Sequence, residues 1–207
     1  NIDSLAEKNA GSSSTYTIVP INESISISDL QFREFVRYVK LSLPASVGQY
    51  VEPDTSADLV VVLDYGIGDP TEEVSSYSIP QFGQTGVSSA QTYGTVSTYG
   101  NTGTYSGTTT YTPTFGITGY STHVQSRQTY QRHIALFAYK MDSDSADPKQ
   151  VWQTMIVSRG SNNDFRSVFP IILSAASTFI ATDTSGMVTV EIKENADSVL
   201  QLKAAAQ

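Results

Sequence analysis

The chain has 207 residues, 12 Lys and Arg against 20 Asp and Glu, a formal charge of −8 and a pI near 4.6. That balance argues against binding to a nucleic-acid backbone, which needs clustered cations, and against docking on anionic membranes. Cysteine is absent, which excludes disulfides, thiolate nucleophiles and Cys-ligated zinc.

At 39% hydrophobic residues the chain can build a modest core in one domain. No apolar run approaches the ~18 residues that would span a bilayer. The chain opens on polar Asn1-Ile2-Asp3-Ser4 and not on a signal peptide, as a trimmed protein also would. Abundant Ser, Thr, Tyr and Gly with little Lys suit a bacterial envelope or secreted protein.

Residues 1–14 are small and polar and read as a flexible tether. Tyr16 to Ile21 reads as the first strand, with Pro20 marking its end or a sheet edge. A helix follows, with Ser28 as N-cap and Gln31 completing a capping box. Its apolar stripe is Leu30, Phe32, Phe35, Val36, Val39 and Leu43, while Arg33, Glu34, Arg37 and Lys40 fill the other side and Pro44 helps stop it. Phe35→Asp would be the most damaging change here, because it buries an unpaired charge.

Ala57 to Ile67 is the second strand, and its unbroken run from Leu59 to Leu63 suggests a central position. Strand, helix and strand in this order predict a crossover with the two strands as parallel neighbours.

From about Thr85 to Tyr120 the composition turns to Thr, Tyr, Gly and Ser. Tyr93, Tyr99, Tyr105 and Tyr111 recur every six residues, an even spacing that places them on one face of an extended chain. Thr and Tyr favour strands, and Asn101-Thr102-Gly103 offers a reversal, so this reads as a long β-hairpin. The alternative is a low-complexity loop without regular structure.

Apolar alternation returns in Arg132 to Met141, where Ile134, Leu136 and Ala138 face one way. After the acidic turn of residues 142–148, Val151 to Val157 forms an antiparallel partner with Trp152, Thr154 and Ile156 on one side. A helix capped by Asn163 or Asp164 is expected to run to Ile180, kinked by Pro170 or starting later because of it. Met187 to Ile192 reads as a last strand, and residues 196–207 as a short helix or frayed tail.

The expected fold is α+β: a mixed, mostly antiparallel sheet, two amphipathic helices packed on one face, and a long Tyr/Thr/Gly-rich hairpin inserted at about residues 85–120 of a single domain spanning 15–195.

Candidate chemistry is sparse. Asp142, Asp144 and Asp147 suggest calcium, but Asp147 stands where the ligand loop needs Gly and Gln153 where it needs Glu. His123 and His133 lie too far apart along an extended chain to share a metal directly. Asp64 and Asp69 near a strand end fit turn chemistry, and no Gly-x-Ser-x-Gly elbow occurs. Gly66-Ile67-Gly68 follows a strand, but Asp69-Pro70 replaces the approach to a phosphate-binding helix. No catalytic residue, metal or cofactor is therefore expected. The tyrosines 93, 99, 105 and 111 are the candidate binding residues, for glycan strands or a protein; equally, they could serve only to pack the hairpin.

The tract Asn163 to Ala176, the strand Ala57 to Gly66 followed by a Tyr/Thr/Gly-rich insertion, and Trp152 resemble a pattern of small bacterial envelope lipoproteins of unknown function. Their fold is similar to the amino-terminal domain of TolB. The resemblance covers roughly residues 50–192. It implies a periplasmic or outer-membrane protein, with a lipid anchor on a cysteine upstream of Asn1 as the only membrane contact. The expected function is non-enzymatic: contacts with an envelope protein or peptidoglycan, no nucleic acid, and self-association through the hairpin as a further reading. A hydrolase of envelope polymers and a small-ligand carrier are the alternatives. The carrier reading calls for a cavity of roughly 300 Å³ or more between helices and sheet.

Overall fold

A computed structural model describes residues 1–8, 13–53, 55–141 and 148–207. Its strands are β1 (Ile2–Ala6), β2 (Thr15–Pro20), β3 (Gln49–Tyr50), β4 (Leu59–Ile67), β5 (Thr71–Tyr99), β6 (Thr102–Lys140) and β7 (Lys149–Gly160). Its helices are α1 (Leu30–Ser42), α2 (Phe165–Ala176) and α3 (Asp197–Ala205). The sheet order is β1-β7-β6-β4-β2-β3, with β5 paired to β6. The α+β class is thereby shown, with a mixed sheet in which β2 runs parallel to β3 and β4 and the other registered pairs are antiparallel.

The chain divides into two compact units: Asn1–Thr71 with Gln128–Gln207, and Glu72–Arg127. The first contains the whole hydrophobic core. Alternation along the strands decides what is buried. Tyr16 and Ile18 of β2, Leu59, Val61 and Leu63 of β4, Ile134, Leu136 and Ala138 of β6, and Trp152 and Ile156 of β7 all point to one face. On the opposite face Val19, Val60, Val62 and Phe137 are only half-buried. This contrast explains the continuous apolar run of β4: it is a central strand with one sealed side and one partly wetted side.

Both amphipathic helices cover the sealed face. Phe32, Phe35, Val36 and Val39 of α1 meet Phe165, Phe169, Ile172 and Leu173 of α2 in the same core. Full burial of each large side chain contributes roughly 1.5–3 kcal/mol. The helix α1 is capped by Asp29, whose Oδ1 accepts from the Phe32 N–H at 2.9 Å. The cap is thus one residue later than Ser28, whose hydroxyl is bonded to that of Ser26. The helix α2 is capped by Asp164, as the sequence suggests, and contains Pro170. Regular helix ends at Ala176; residues 177–181 continue as turn.

Two further sequence expectations are corrected. The expected flexible tether of residues 1–14 contains an edge strand: β1 pairs antiparallel with β7, Ile2 against Ile156 and Ser4 against Thr154. Ile2 is buried, and the hydroxyls of Ser4 and Thr154 bond at 2.7 Å within the interior. At the other end of the expected tether, Asp58 Oδ2 accepts from the N–H groups of Ser14 and Thr15. Small polar residues masked this strand because Ser4 is satisfied by hydrogen bonding where the sequence pattern leads one to look for an apolar residue.

The expected strand Met187–Ile192 is reduced to one bridge, Val188 with Ile2, made by two reciprocal N–H···O bonds of 2.7 Å. Thr184 bonds to the Ser4 backbone in the same region, so this segment lies along β1 without building a ladder. The tail, expected as a short helix or frayed end, is the helix α3. It packs against α1 and α2 and buries Val199.

Candidate functional site

The second unit, Glu72–Arg127, is a two-stranded ribbon made of β5 and the first part of β6. The expected hairpin is therefore present, but it begins at Thr71 and not near residue 85. Twenty-nine residues of β5 correspond to a strand about 95–100 Å long at the usual rise per residue. Nearly every residue along it is exposed. The reversal is at Gly100-Asn101, not at Asn101-Thr102-Gly103. Gly100 has φ +63°, a left-handed conformation that favours glycine at the first position of a two-residue hairpin turn.

This turn decides where the tyrosines go. The hydroxyls of Thr92 and Thr109 bond at 2.8 Å, so these side chains share a face. Tyr105 lies on that face too, its ring over Gly94 and Gly107; a Cβ on either glycine would collide with it. Ser89 and Thr112 share the other face, as do Thr85 and Thr114. Strand alternation then places Tyr105 and Tyr111 with Thr109, and Tyr93 and Tyr99 with Ser89.

The four tyrosines are thus divided two and two, not aligned on one face. A two-residue turn pairs even with odd positions, so an even spacing changes face once it crosses the turn. All four are exposed, from 61% for Tyr111 to 94% for Tyr99.

The two faces differ in chemistry. One carries Thr85, Ser89, Ser97, Thr104, Thr108, Thr110, Thr112, Thr114 and Thr118, a surface of hydroxyls interrupted by Tyr93, Tyr99 and Val87. The other carries Phe82, Ala90, Val96, Tyr105, Tyr111, Phe115 and Ile117 beside the two glycines, with Ser88, Thr92, Thr98 and Thr109 between them. The alternation of Thr108, Thr110, Thr112 and Thr114 with Thr109, Tyr111, Pro113 and Phe115 was the signal for this division.

Nearer the ribbon's base the partners change parity. Ser78 bonds across to Thr122, and Tyr77 stacks on His123 with centroids 5.5 Å apart. One extra residue of β5 is therefore accommodated in the Ile79–Phe82 stretch, which contains Pro80.

The ribbon has no charge between Glu73 and Arg127. Natural edge strands are usually guarded by lysines, inward charges or a covering element, because unpaired N–H and C=O groups recruit other strands. Here both long edges lack charged guards. An isolated two-stranded ribbon is also marginal in water by itself.

Other candidates can be placed. His133 Nε2 lies 3.5 Å from Asp64 Oδ2, with both side chains partly exposed. Among the described residues no hydroxyl hydrogen-bonds to His133. His123 belongs to the ribbon and His133 to the other unit. The calcium reading of Asp142, Asp144 and Asp147 falls outside the described residues. Among the described residues no group of three or more His, Asp or Glu could hold a metal ion.

A cavity of about 150 Å³ lies between α1 and the stretch around Tyr50, with Phe32 and Val36 in its floor and Arg33, Arg37 and Lys40 at its rim. It is smaller than the roughly 300 Å³ that the carrier reading calls for between helices and sheet, while a more open cleft of about 850 Å³ lies beside α1, lined by Arg37, Tyr38, Arg166 and the C-terminal Ala206 and Gln207. The Lys40 ammonium sits 3.7 Å from the Tyr50 ring centroid, and the Tyr50 hydroxyl donates to Glu52 at 3.2 Å. Burial, with the Glu52 carboxylate adding to it, pushes the Tyr50 phenol up to about 12. Arg132 is 4% exposed and donates to the Asn162 carbonyl at 3.4 Å; its burial lowers its pKa.

No protein-family model matches the chain. No curated protein matches it either. Among solved structures, a PDZ domain protein from Parabacteroides distasonis is similar over 88% of this chain, at 9% identity and a TM-score of 0.38. The chain spans 36% of that protein's length.

Proposed function

We propose that this is a non-enzymatic protein of the bacterial envelope, held at its N-terminal side by a lipid anchor, that works through contacts made by the ribbon. The observation that carries the reading is the ribbon itself: two long, exposed, uncharged strands with no core of their own. Such a ribbon gains stability when something else pairs with its edges or covers its aromatic face. The partners this surface suits are envelope proteins and peptidoglycan. Tyrosine offers large contact area at low entropic cost to either. The resemblance of Ala57–Gly66 and Asn163–Ala176 to envelope lipoproteins supports the compartment.

The test is replacement of residues 72–127 by a short glycine linker. The core lies wholly outside that range, so the variant should fold. The full chain is expected to crosslink to envelope protein or to sediment with purified peptidoglycan, and the variant to do neither. If a folded variant crosslinks and sediments as the full chain does, the ribbon is not the working surface.

A further inference from the structure

We infer that the occupant of the ribbon's open edges is the ribbon of another copy of this chain, and that several copies close into a ring of hairpins, a shared β-barrel. The inference rests on the ribbon being the working surface, and it names the partner. Each hairpin has two different edges, one from β5 and one from β6. Joining the β5 edge of one copy to the β6 edge of the next repeats the antiparallel pairing already present within the hairpin. Such head-to-tail contacts leave edges open at the ends unless they close on themselves, and closure removes every edge.

Two further observations favour identical copies. Over the stretch from Val74 to Ser126 there is no Asp, Glu, Lys or Arg, and His123 is the one titratable base, so ribbons can lie side by side without the like-charge repulsion that a net −8 chain would otherwise bring. The ribbon is also two-faced. A hydroxyl surface around Thr108, Thr110 and Thr112 backs onto an aromatic one around Tyr105, Tyr111 and Phe115. A closed barrel has an inside and an outside and gives each face a distinct environment.

The full chain contains no cysteine, which makes single-cysteine variants clean probes. Chains carrying Ser89→Cys on β5 are mixed with chains carrying one cysteine on the hydroxyl face of β6, in turn Thr104→Cys, Thr108→Cys, Thr110→Cys, Thr112→Cys and Thr118→Cys, and oxidised. The expected result is disulfides between a β5 and a β6 cysteine in a narrow window of the series, with little β5–β5 product. Light scattering of the full chain in detergent should give a discrete multiple of 22.4 kDa. The full-length variant Ser89→Lys/Thr110→Lys should fall to a single chain with its Trp152 emission unchanged.

A full chain that is monomeric in both buffer and detergent overturns the ring. So do β5–β5 disulfides as abundant as β5–β6 ones, and an oligomer that survives deletion of residues 72–127. A monomer that still binds envelope material through the ribbon overturns the ring alone and leaves the proposed function standing.

Discussion

The rings of Phe35 on α1 and Phe169 on α2 stack with centroids 4.0 Å apart and planes within 8° of parallel. Both are fully buried, and Phe165 and Tyr65 meet the pair edge-on. The stack is where the two helices are joined over the sheet.

Truncating this stack should be costly. Phe169→Ala removes a whole ring from a closed interior and is expected to destabilise by about 3–5 kcal/mol. Urea unfolding followed through Trp152 measures it. A loss below about 1 kcal/mol would mean that the helices do not share a rigid core.

Trp152 is the single tryptophan and is 2% exposed. Its emission reports on the core. Replacing residues 72–127 by a linker should leave that emission blue-shifted and the urea midpoint near that of the full chain. A red shift would show that the core depends on the ribbon.

Gly94 and Gly107 make room for Tyr105. Gly107→Val would displace that ring and weaken cross-strand packing near the tip. Hydrogen exchange should accelerate for amides around residues 92–109 while amides of β4 and β7 keep their protection. Unchanged protection at the tip would mean that Tyr105 contributes nothing to the ribbon.

Alkaline stability should depend on Tyr50. Its phenol is raised from an ordinary 10.0 to about 12, so folding favours the neutral form. The corresponding stability is present below pH 10 and is lost as the pH rises towards 12. Tyr50→Phe cannot ionise there. Its urea midpoint, compared with that of the native chain, should show a gap at about pH 8 that narrows by about pH 11.5. Tyr16, Tyr38 and Tyr65 are also raised by burial and leave a residual slope of the same sign. A gap that stays constant would remove Tyr50 from the account.

Much of the core was legible in the sequence because period and face coincide there. The stripe Phe32, Phe35, Val36, Val39 and the alternations of β6 and β7 each announce a buried side. The parallel pairing of β2 with β4 followed from strand, helix and strand in order. Less legible was β1, whose alternation is Ile2, Ser4 and Ala6. Only the Thr154 hydroxyl opposite makes Ser4 an interior residue. The segment at Met187 carries a strand-like pattern, yet it meets β1 at a single bridge.

The amino-acid order by itself determined that two greasy helices must cover one side of a pleated layer, and that an uncharged Thr/Tyr stretch must lie outside the core. Those outcomes are local: hydrophobic periodicity and strand propensity act over neighbouring residues. Which tyrosines share a face was decided only in three dimensions. The two-residue turn at Gly100-Asn101 sets the register between strands, and one residue more or less there exchanges every side chain of one strand between the two faces.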